Sequence, residues 1–419
     1  MKRRIKIFSA DAEVKPSDKS DIPLIVVTFV LVAFGVLMVY SAGSYTGKRL
    51  YGSEFYFVYK QLVGVVLGAA AMFVMSRIDY RVLHKLRYVI LGISIVLLAI
   101  VFIPGVGITN YGARRWINTP FFTIQASEVS KFGFIVFAAA YIGSREGKIT
   151  TFRGILPVVG VGGVICLLII LEPNMSVTIC MAALMIVMLF LGGAKIRHIV
   201  MLVVPLIAAA VVLVLVEPYR FARLMAFIDP WESPLEEGYQ LIQSYYGLGA
   251  GGFFGVGLFN SRQKYLFLPF AESDFIFSVI GEELGLFGCL AVMGAYVFMI
   301  RRALRIALGA PDRFGSLLCS GIAAIIAIQV SVNIAVVTGS IPPTGLPLPF
   351  ISSGSSGIIV FMMSIGALNS VKRRSPKSSE LLFVKGSRIK RKKHKDKAEG
   401  RRASGAAAAR LGKPTAVRP

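Results

Sequence analysis

Four carboxylates are gathered at the beginning of an apolar stretch, in the segment LPFAESDFIFSVIGEELGLFG. They are Glu272, Asp274, Glu282 and Glu283, in a chain whose formal net charge is +24. A carboxylate at the mouth of an apolar helix can act as a general base toward a hydroxyl group. Ser273 followed by Asp274 is also an ordinary helix start, in which the helix dipole favours the acid. These two interpretations are compatible, and the sequence leaves both open.

The apolar stretch after Asp274 is predicted to be a helix with small residues on one side. At about 100° per residue, Asp274, Ser278, Gly281 and Gly285 share one face of that helix. Small side chains on such a face allow a second helix to pack closely, or leave space for a ligand. We therefore expect a close neighbour or a ligand on this face.

Ionisable residues also occur inside apolar stretches, where they need partners. Glu282 and Glu283 lie about two turns into the helix just described, and we expect them to support the structure around it. In the segment QASEVSKFG, Glu128 and Lys131 are three residues apart, so they can pair along one helical turn. Such a pair is compatible with a packing role and with a catalytic one.

The elements that must position these residues are membrane helices. A mean hydropathy of +0.71 and 55% hydrophobic residues exclude an ordinary soluble domain. A spanning helix needs about 20 mostly apolar residues, and about ten such stretches are present. They cover residues 22–43, 55–76, 86–104, 121–143, 152–171, 175–192, 197–217, 275–300, 314–339 and 350–371. The predicted fold is therefore an all-α polytopic membrane protein.

The distribution of Lys and Arg predicts how the chain is oriented. Basic residues concentrate in the N-terminal tail (residues 1–21) and in every second connection, which places both termini in the cytoplasm. The long connection 218–274, between the seventh and eighth helices, is then outside the cell. The basic tail 372–419 has the composition of a disordered cytoplasmic segment that touches anionic lipid. It lacks the interleaved aromatic residues and folded module that nucleic-acid binding would require.

Cysteine and histidine usage points to no metal centre. The four cysteines all lie in apolar stretches, so neither a disulfide framework nor a thiolate site is indicated. The three histidines lie in predicted inner connections or in the tail, which makes a zinc site improbable.

Outer connections carry arginines and lysines against the general trend. Arg114 and Arg115 lie in YGARRWINTP, and Arg262 and Lys264 lie beside aromatic residues in NSRQKYLFLP. Cations at the outer surface suggest an anionic ligand, although they can also pair with acids of the same loop. A mixture of cations and apolar residues suits an amphiphilic phosphate compound.

Two glycine-rich segments predict irregular backbone that lines one cavity at the outer side of the membrane. GLGAGGFFGVG fits the spacing of a dinucleotide-binding loop, but no strand–helix unit surrounds it and it lies outside the cell. We expect re-entrant or irregular backbone there instead. TGSIPPTGLPLPFISSGSSG, which contains Ser352, is predicted to be broken backbone at the outer ends of the last two helices.

Six blocks in this order resemble the SEDS family (shape, elongation, division and sporulation proteins). The blocks are GARRWI, QASEVSK, LEPNMS, GVGLFNSRQKYLFLP, DFIFSVIGEELG and TGLPLPFIS, and the resemblance extends over about residues 22–371. The NSRQK sequence is most similar to the FtsW and SpoVE branches. Departures from the family pattern are Asn174, where an acid is usual, Glu272, where histidine is usual, and Ser355 within the block SGSSG.

The resemblance implies a peptidoglycan glycosyltransferase that polymerises lipid II on the outer face of the cytoplasmic membrane. It also implies a class B penicillin-binding protein as transpeptidase partner, other proteins of the division machinery, and work at the division septum or in sporulation. Asp274 is then the catalytic base. Arg114, Arg115, Arg262, Lys264 and Ser352 would bind substrate. A divalent cation (Mg²⁺ or Mn²⁺) could assist, although the sequence shows no dedicated ligands.

Two other classes of function stay open at this point. A lipid II flippase would use ionisable residues through the depth of the membrane, and a non-catalytic scaffold would recruit partners through its tail and outer loop. The acids of this chain cluster toward the outer half, which favours the enzyme.

Overall fold

Long apolar helices make up most of the chain that the structure describes. The structure is a computed structural model and describes residues 18–376 except 111–112, 120–122, 146 and 217. Residues Lys19–Arg373 form one compact unit. In this part of the chain the α-helices are α1 (Ile22–Tyr51), α2 (Tyr56–Arg77), α3 (Arg81–Lys85), α4 (Arg87–Ile100), α5 (Ala126–Ser144), α6 (Phe152–Leu171), α7 (Met175–Leu191), α8 (Ile196–Val216), α9 (Pro218–Ile228), α10 (Tyr239–Gly251), α11 (Ile276–Leu308), α12 (Arg313–Val337) and α13 (Ser355–Arg374). Two 3-10 helices cover Lys148–Thr150 and Pro230–Glu232.

Eight helices of the described residues are long and apolar enough to cross a membrane, judged by length and composition. Two shorter apolar helices, α4 and α7, coincide with the third and sixth predicted stretches. Both results confirm the predicted polytopic helical fold. The side of the membrane on which each terminus lies stays a prediction.

The helices differ strongly in how much of their surface is inside the protein. In α5, 83% of the most apolar window is buried, whereas in α8 none of it is. Helix α5 packs against α4 and α12, and a Cβ added at Gly133 of α5 would lie 2.2 Å from the Ser94 Oγ of α4. Glycine therefore sets the distance between these two helices. The apolar surface of α8 suits contact with lipid.

A small antiparallel sheet precedes α5 and was not predicted. Its strands are β1 (Gly107–Asn110), β2 (Ala113–Asn118) and β3 (Thr123–Gln125), in the order β1-β2-β3. The fourth predicted stretch begins at residue 121, whereas α5 begins at Ala126. The aromatic and β-branched pair Trp116 and Ile117 favours a strand, and it is matched in register with Gln125 and Ile124. These strands are only three to six residues long, and the longer apolar stretch beside them dominated the hydropathy pattern.

The predicted outer loop 218–274 contains α9, a 3-10 helix, α10 and an irregular segment. Helix α10 lies along the first turns of α11, where a Cβ on Gly251 would come within 1.9 Å of the Gly281 carbonyl oxygen. The predicted close packing at Ser278 and Gly281 is therefore confirmed, with α10 as the neighbour. Asp274 does not share that helical face, because α11 begins two residues after it.

Helix α11 is interrupted at Gly285, which has φ 65° and ψ −165°. The irregular segment after α10 docks at this break. The backbone N–H of Val256 donates to the Glu282 carbonyl oxygen (2.9 Å), and the N–H of Leu286 donates to the Gly252 carbonyl oxygen (2.9 Å). Irregular backbone at the glycine-rich segment, as predicted, thus supplies the hydrogen bonds that the break in α11 removes.

Candidate functional site

Asp274 lies just before α11 and does not cap it. The N-cap residue of α11 is Phe275, and no side chain caps this helix end by a hydrogen bond. The Asp274 Oδ1 accepts a hydrogen bond from the Ser273 Oγ at 2.9 Å. The helix-cap interpretation of Asp274 is therefore wrong. Its half-buried carboxylate is not used to cap the helix, which is compatible with the general-base interpretation.

The backbone around Asp274 is held by α12 and by the segment between α12 and α13. The amide of Asn333 donates to the carbonyl oxygens of Asp274 and Leu346, each at 2.8 Å. A Cβ added at Gly345 would lie 2.9 Å from the Asp274 Oδ2, so glycine is needed for this approach. These contacts fix the position of Asp274 through its backbone. Its carboxylate accepts one side-chain hydrogen bond, from Ser273 to Oδ1.

Ser352 is a buried residue that also holds the backbone next to Asp274. Its hydroxyl donates to the Ser273 carbonyl oxygen (2.7 Å) and accepts from the Leu348 backbone N–H (2.8 Å). These contacts support a role in positioning the chain next to Asp274, and they give no support to the predicted contact of Ser352 with substrate.

The electrostatic surroundings of Asp274 suit a base that works near neutral pH. Burial raises the pKa of Asp274 to about 6, while the bond from Ser273 and the charges of Arg115 and Arg223 oppose this shift. The carboxylate is therefore mostly ionised at pH 7, yet close enough in pKa to accept a proton. Burial also raises the pKa of neighbouring Glu272, with a further contribution from Asp274.

Arg115 links the sheet to the turn between α6 and α7. Its Nε donates to the Glu172 carbonyl oxygen at 3.2 Å, and its Nη2 donates to the Pro173 carbonyl oxygen. Its charge acts on Asp274, and its predicted contact with substrate stays a prediction. Arg114, the preceding residue of β2, is exposed.

Arg223 and Glu172 were not assigned a role from the sequence. Arg223 lies on α9, pairs with Glu237 at 3.7 Å and acts electrostatically on Asp274. The signal that could have found it is the basic residue spacing of RFAR in the outer loop. For Glu172, the sequence offered an acid before a proline, and its burial beside strand β2 is visible only in the structure.

Lys264 is directed into the protein. Its Nζ contacts the Glu283 Oε1 (3.4 Å) and the Ser41 Oγ of α1 (3.4 Å), and it also donates to the Phe259 carbonyl oxygen. These three partners match the three donors of an ammonium group. The predicted binding of substrate by Lys264 therefore finds no support, and the side chain takes a supporting role.

Glu282 and Glu283 hold the outer loop, as the support role predicted. Glu282 accepts hydrogen bonds from the backbone N–H groups of Arg262 (2.8 Å) and Gln263 (3.4 Å) and from the Ser261 hydroxyl. Glu283 accepts from the Ser41 hydroxyl at 2.5 Å. The side chain of Arg262 is exposed, so this anchored loop presents one cation outward.

Glu128 and Lys131 form the predicted ion pair inside the helical bundle. The Lys131 Nζ lies 2.6 Å from the Glu128 Oε1, and both side chains are 2% exposed. The same ammonium donates to the Gln329 Oε1 of α12 at 3.1 Å. The pair therefore connects α5 to α12 at the centre of the structure.

The departures at Asn174 and Ser355 have local explanations. The Asn174 Oδ1 accepts from the Val177 N–H at 3.3 Å and caps α7, which an aspartate would also do. The Ser355 hydroxyl donates to the Lys60 carbonyl oxygen at 2.9 Å, joining α13 to α2. Both residues thus fill structural positions.

Comparison with known proteins gives consistent matches over the same region. The model of the FtsW/RodA/SpoVE family, described as cell cycle proteins, matches residues 22–377. Stage V sporulation protein E of Bacillus subtilis is 40% identical over 356 residues, which cover 85% of this chain and 97% of that protein. A probable peptidoglycan glycosyltransferase FtsW of Geobacter sp. is 37% identical over 355 residues, covering 84% and 97%.

A solved structure shares the fold as well. It is one chain of a peptidoglycan synthase complex, solved to show the structural coordination of polymerization and crosslinking by that complex. The TM-score is 0.68 at 28% sequence identity, with 84% of this chain and 98% of that chain covered. With the matched family model extending over the whole helical region, this chain belongs to the FtsW/RodA/SpoVE family.

Proposed function

We propose that this protein is a peptidoglycan glycosyltransferase that polymerises lipid II on the outer face of the cytoplasmic membrane, in cell division or sporulation. The observation that carries the proposal is Asp274, a positioned carboxylate with a pKa of about 6 that caps no helix and is acted on by two arginines. The names of the similar proteins, a peptidoglycan glycosyltransferase and a sporulation protein, support it.

The reaction needs one general base. A sugar hydroxyl of one lipid II attacks the anomeric carbon of a second lipid-linked sugar, and the new carbon–oxygen bond forms as the bond to the diphosphate breaks. Asp274 takes the proton of the attacking hydroxyl. The diphosphate leaves with the bonding electron pair and needs no strong acid. This differs from a glycosidase, which uses two carboxylates.

Cations near Asp274 would stabilise the negative charge that develops on the diphosphate. Arg115 and Arg223 already act on Asp274 in the structure, and the other two predicted substrate-binding arginines, Arg114 and Arg262, have exposed side chains. Guanidinium groups suit phosphate oxygens because their donors are arranged in a planar fork. Lys264 and Ser352 take supporting roles inside the protein.

The predicted help of a divalent cation (Mg²⁺ or Mn²⁺) stays a prediction. Within the described part of the chain, no group of three or more His, Cys, Asp or Glu side chains could hold a metal ion. Mg²⁺ is usually bound through one or two carboxylates together with substrate phosphates. No step of the proposed reaction is assigned to a cation.

The proposed partner is a class B penicillin-binding protein. The support is the solved relative, which belongs to a peptidoglycan synthase complex described for both polymerization and crosslinking. A polymerase alone makes glycan strands, so a transpeptidase is needed to crosslink them. We place this pair with other division proteins at the septum, or at the corresponding membrane in sporulation.

The test is synthesis of glycan by the purified full-length protein from lipid II in detergent, with and without its cognate penicillin-binding protein. We expect glycan chains on gels from the wild type and none from Asp274→Asn. Glu236→Gln, an exposed acid of the same outer loop, is the matched control and should behave as the wild type. Translocation of lipid II across vesicles without glycan synthesis would contradict the proposal and favour a flippase.

A further inference from the structure

Glu172 is a buried acid that the proposed reaction does not use. It follows the last residue of α6, in the turn that leads to α7, and its side chain is fully buried. Neither of its carboxyl oxygens has a hydrogen-bond partner among the described residues. An ionised carboxylate in such surroundings is strongly unfavourable, so the carboxyl group must be neutral under ordinary conditions.

Arg115 connects this acid to the candidate base. The guanidinium binds the carbonyl oxygens of Glu172 and Pro173 and not the Glu172 carboxyl group. Its positive charge acts on both Glu172 and Asp274. The geometry therefore places Arg115 within electrostatic range of two carboxyl groups. That of Asp274 is the candidate base, and that of Glu172 is buried away from solvent.

The protonation state of Glu172 changes what Arg115 can do. While Glu172 is neutral, the guanidinium stays on the two carbonyl oxygens and its charge is felt at Asp274. Ionisation of Glu172 would add a full negative charge beside the guanidinium, attract it toward the carboxylate and lower the positive potential at the site. A site that binds a diphosphate would lose affinity as a result.

We infer that Glu172 is a positioning residue that acts through Arg115, and that its neutral form keeps the positive charge of Arg115 acting on the diphosphate of the lipid-linked substrate. This inference rests on the proposed function for the identity of the ligand. It assigns Glu172 no contact with substrate.

The inference predicts an alkaline limit on substrate binding. Burial raises the pKa of Glu172 to about 8, and Arg115 on β2 is the charged group that opposes this shift. Because the pKa is raised, Glu172 is neutral below pH 8 and ionises above it. Asp274 has its own pKa near 6 and is already ionised in this range, so it does not contribute to the alkaline limit.

The test compares the wild type with Glu172→Gln, which keeps the shape of the side chain and cannot ionise. In the full-length enzyme, we expect the KM of the wild type for lipid II to rise roughly tenfold from pH 7 to pH 9, since about one tenth of the carboxyl groups stay neutral one pH unit above the pKa. The KM of Glu172→Gln should stay low across this range, with little change in kcat. In an Arg115→Gln background, KM should be high at both pH values whether residue 172 is Glu or Gln.

Binding measurements separate this inference from the proposed function. Fluorescent lipid II can be titrated into Asp274→Asn protein at pH 7 and pH 9, with and without Glu172→Gln, so that no turnover is needed. A pH-dependent affinity that Glu172→Gln removes supports the inference even if the wild type makes no glycan. Glu236→Gln serves as the control acid, and thermal melting in detergent verifies folding.

Two results would overturn the inference. One is an equal alkaline loss of affinity in the wild type and in Glu172→Gln. The other is a folded Glu172→Gln protein that binds lipid II weakly at pH 7, which would mean that a neutral side chain at this position is not sufficient for binding.

Discussion

Asp274 is positioned through its backbone, which leaves its carboxylate for chemistry. Asn333 holds the carbonyl oxygen of Asp274, and Ser352 holds the carbonyl oxygen of the preceding residue. The carboxylate itself accepts one hydrogen bond from its neighbour Ser273. A positioned carboxylate whose pKa is raised by burial is what a general base for a sugar hydroxyl requires.

Asp274→Asn is expected to abolish glycan synthesis, because an amide cannot accept the proton. The rate of the wild type should rise with pH through about 6, as the carboxylate forms. The measurement is glycan yield from lipid II at pH 5 to 7.5. Near-normal synthesis by the Asn variant would exclude the base role.

The same variant is expected to fold at least as well as the wild type. The pKa of Asp274 in the folded protein lies above its ordinary value of 3.8, so ionisation of the folded protein costs free energy of folding. That cost is absent at pH values below the ordinary value and is fully present above pH 6. Thermal melting in detergent at pH 7.5 should therefore show no loss of stability in Asp274→Asn.

The pair of Glu128 and Lys131 is expected to contribute as a unit. Removing one partner leaves a buried charge, which costs about 3–5 kcal/mol in fully buried cases. Glu128→Gln and Lys131→Met should each destabilise the protein, and the double variant should recover part of the loss. The measurement is a double-mutant cycle on unfolding in detergent. Simple additivity would contradict the contact of 2.6 Å between the two side chains.

At the scale of elements, the site depends on how α10 and the segment after it fill the break in α11. The break at Gly285 leaves backbone N–H and C=O groups of α11 without partners inside the helix. The segment 252–257 pairs with them, and Glu282 and Glu283 hold the following residues. The loop that carries Arg262 is therefore fixed to the helix that follows Asp274.

Close packing of α10 on α11 can be tested with two glycines of α10. Gly251→Ala should destabilise the protein by about 1–3 kcal/mol, the usual range for overpacking, because the added Cβ would lie 1.9 Å from the Gly281 carbonyl oxygen. Gly249→Ala is the matched control, since a Cβ there meets no atom within 4 Å. Thermal melting and glycan synthesis should both decline in the first variant. Equal behaviour of the two variants would contradict the packing.

At the scale of the whole molecule, the predicted topology separates the chemistry from the basic tail by the thickness of the membrane. About 30 Å of hydrocarbon divides the two surfaces. The tail follows α13, and residues 377–419 lie outside the described part of the chain. Their charge can attract anionic lipid with about 1 kcal/mol per Lys or Arg.

Truncation after Arg374 is therefore expected to leave glycan synthesis in detergent close to that of the full-length protein. Protein level or placement in the cell can decline, because the attraction to the inner leaflet is lost. The measurement is the rate of synthesis per mole of folded protein. A truncated protein that folds normally but makes no glycan would contradict the predicted topology.

Hydropathy and local spacing alone determined the class of protein and much of its frame. A spanning helix satisfies its own backbone, so the apolar stretches could be identified without any knowledge of their neighbours. The pairing of Glu128 with Lys131 was predictable for a related reason, because residues three apart meet on one helical turn. Asp274 was found through a local block of sequence, and its position before α11 agrees with that block.

Tertiary contacts decided what the remaining site residues do. Lys264 and Ser352 are polar residues of outer segments in the sequence, but Glu283 and Ser273, distant along the chain, occupy their donors. The orphaned carboxyl group of Glu172 is likewise a consequence of burial beside β2, which the sequence does not show. Charge and spacing are local properties, whereas solvent exposure and the choice of hydrogen-bond partner arise only when distant segments pack together.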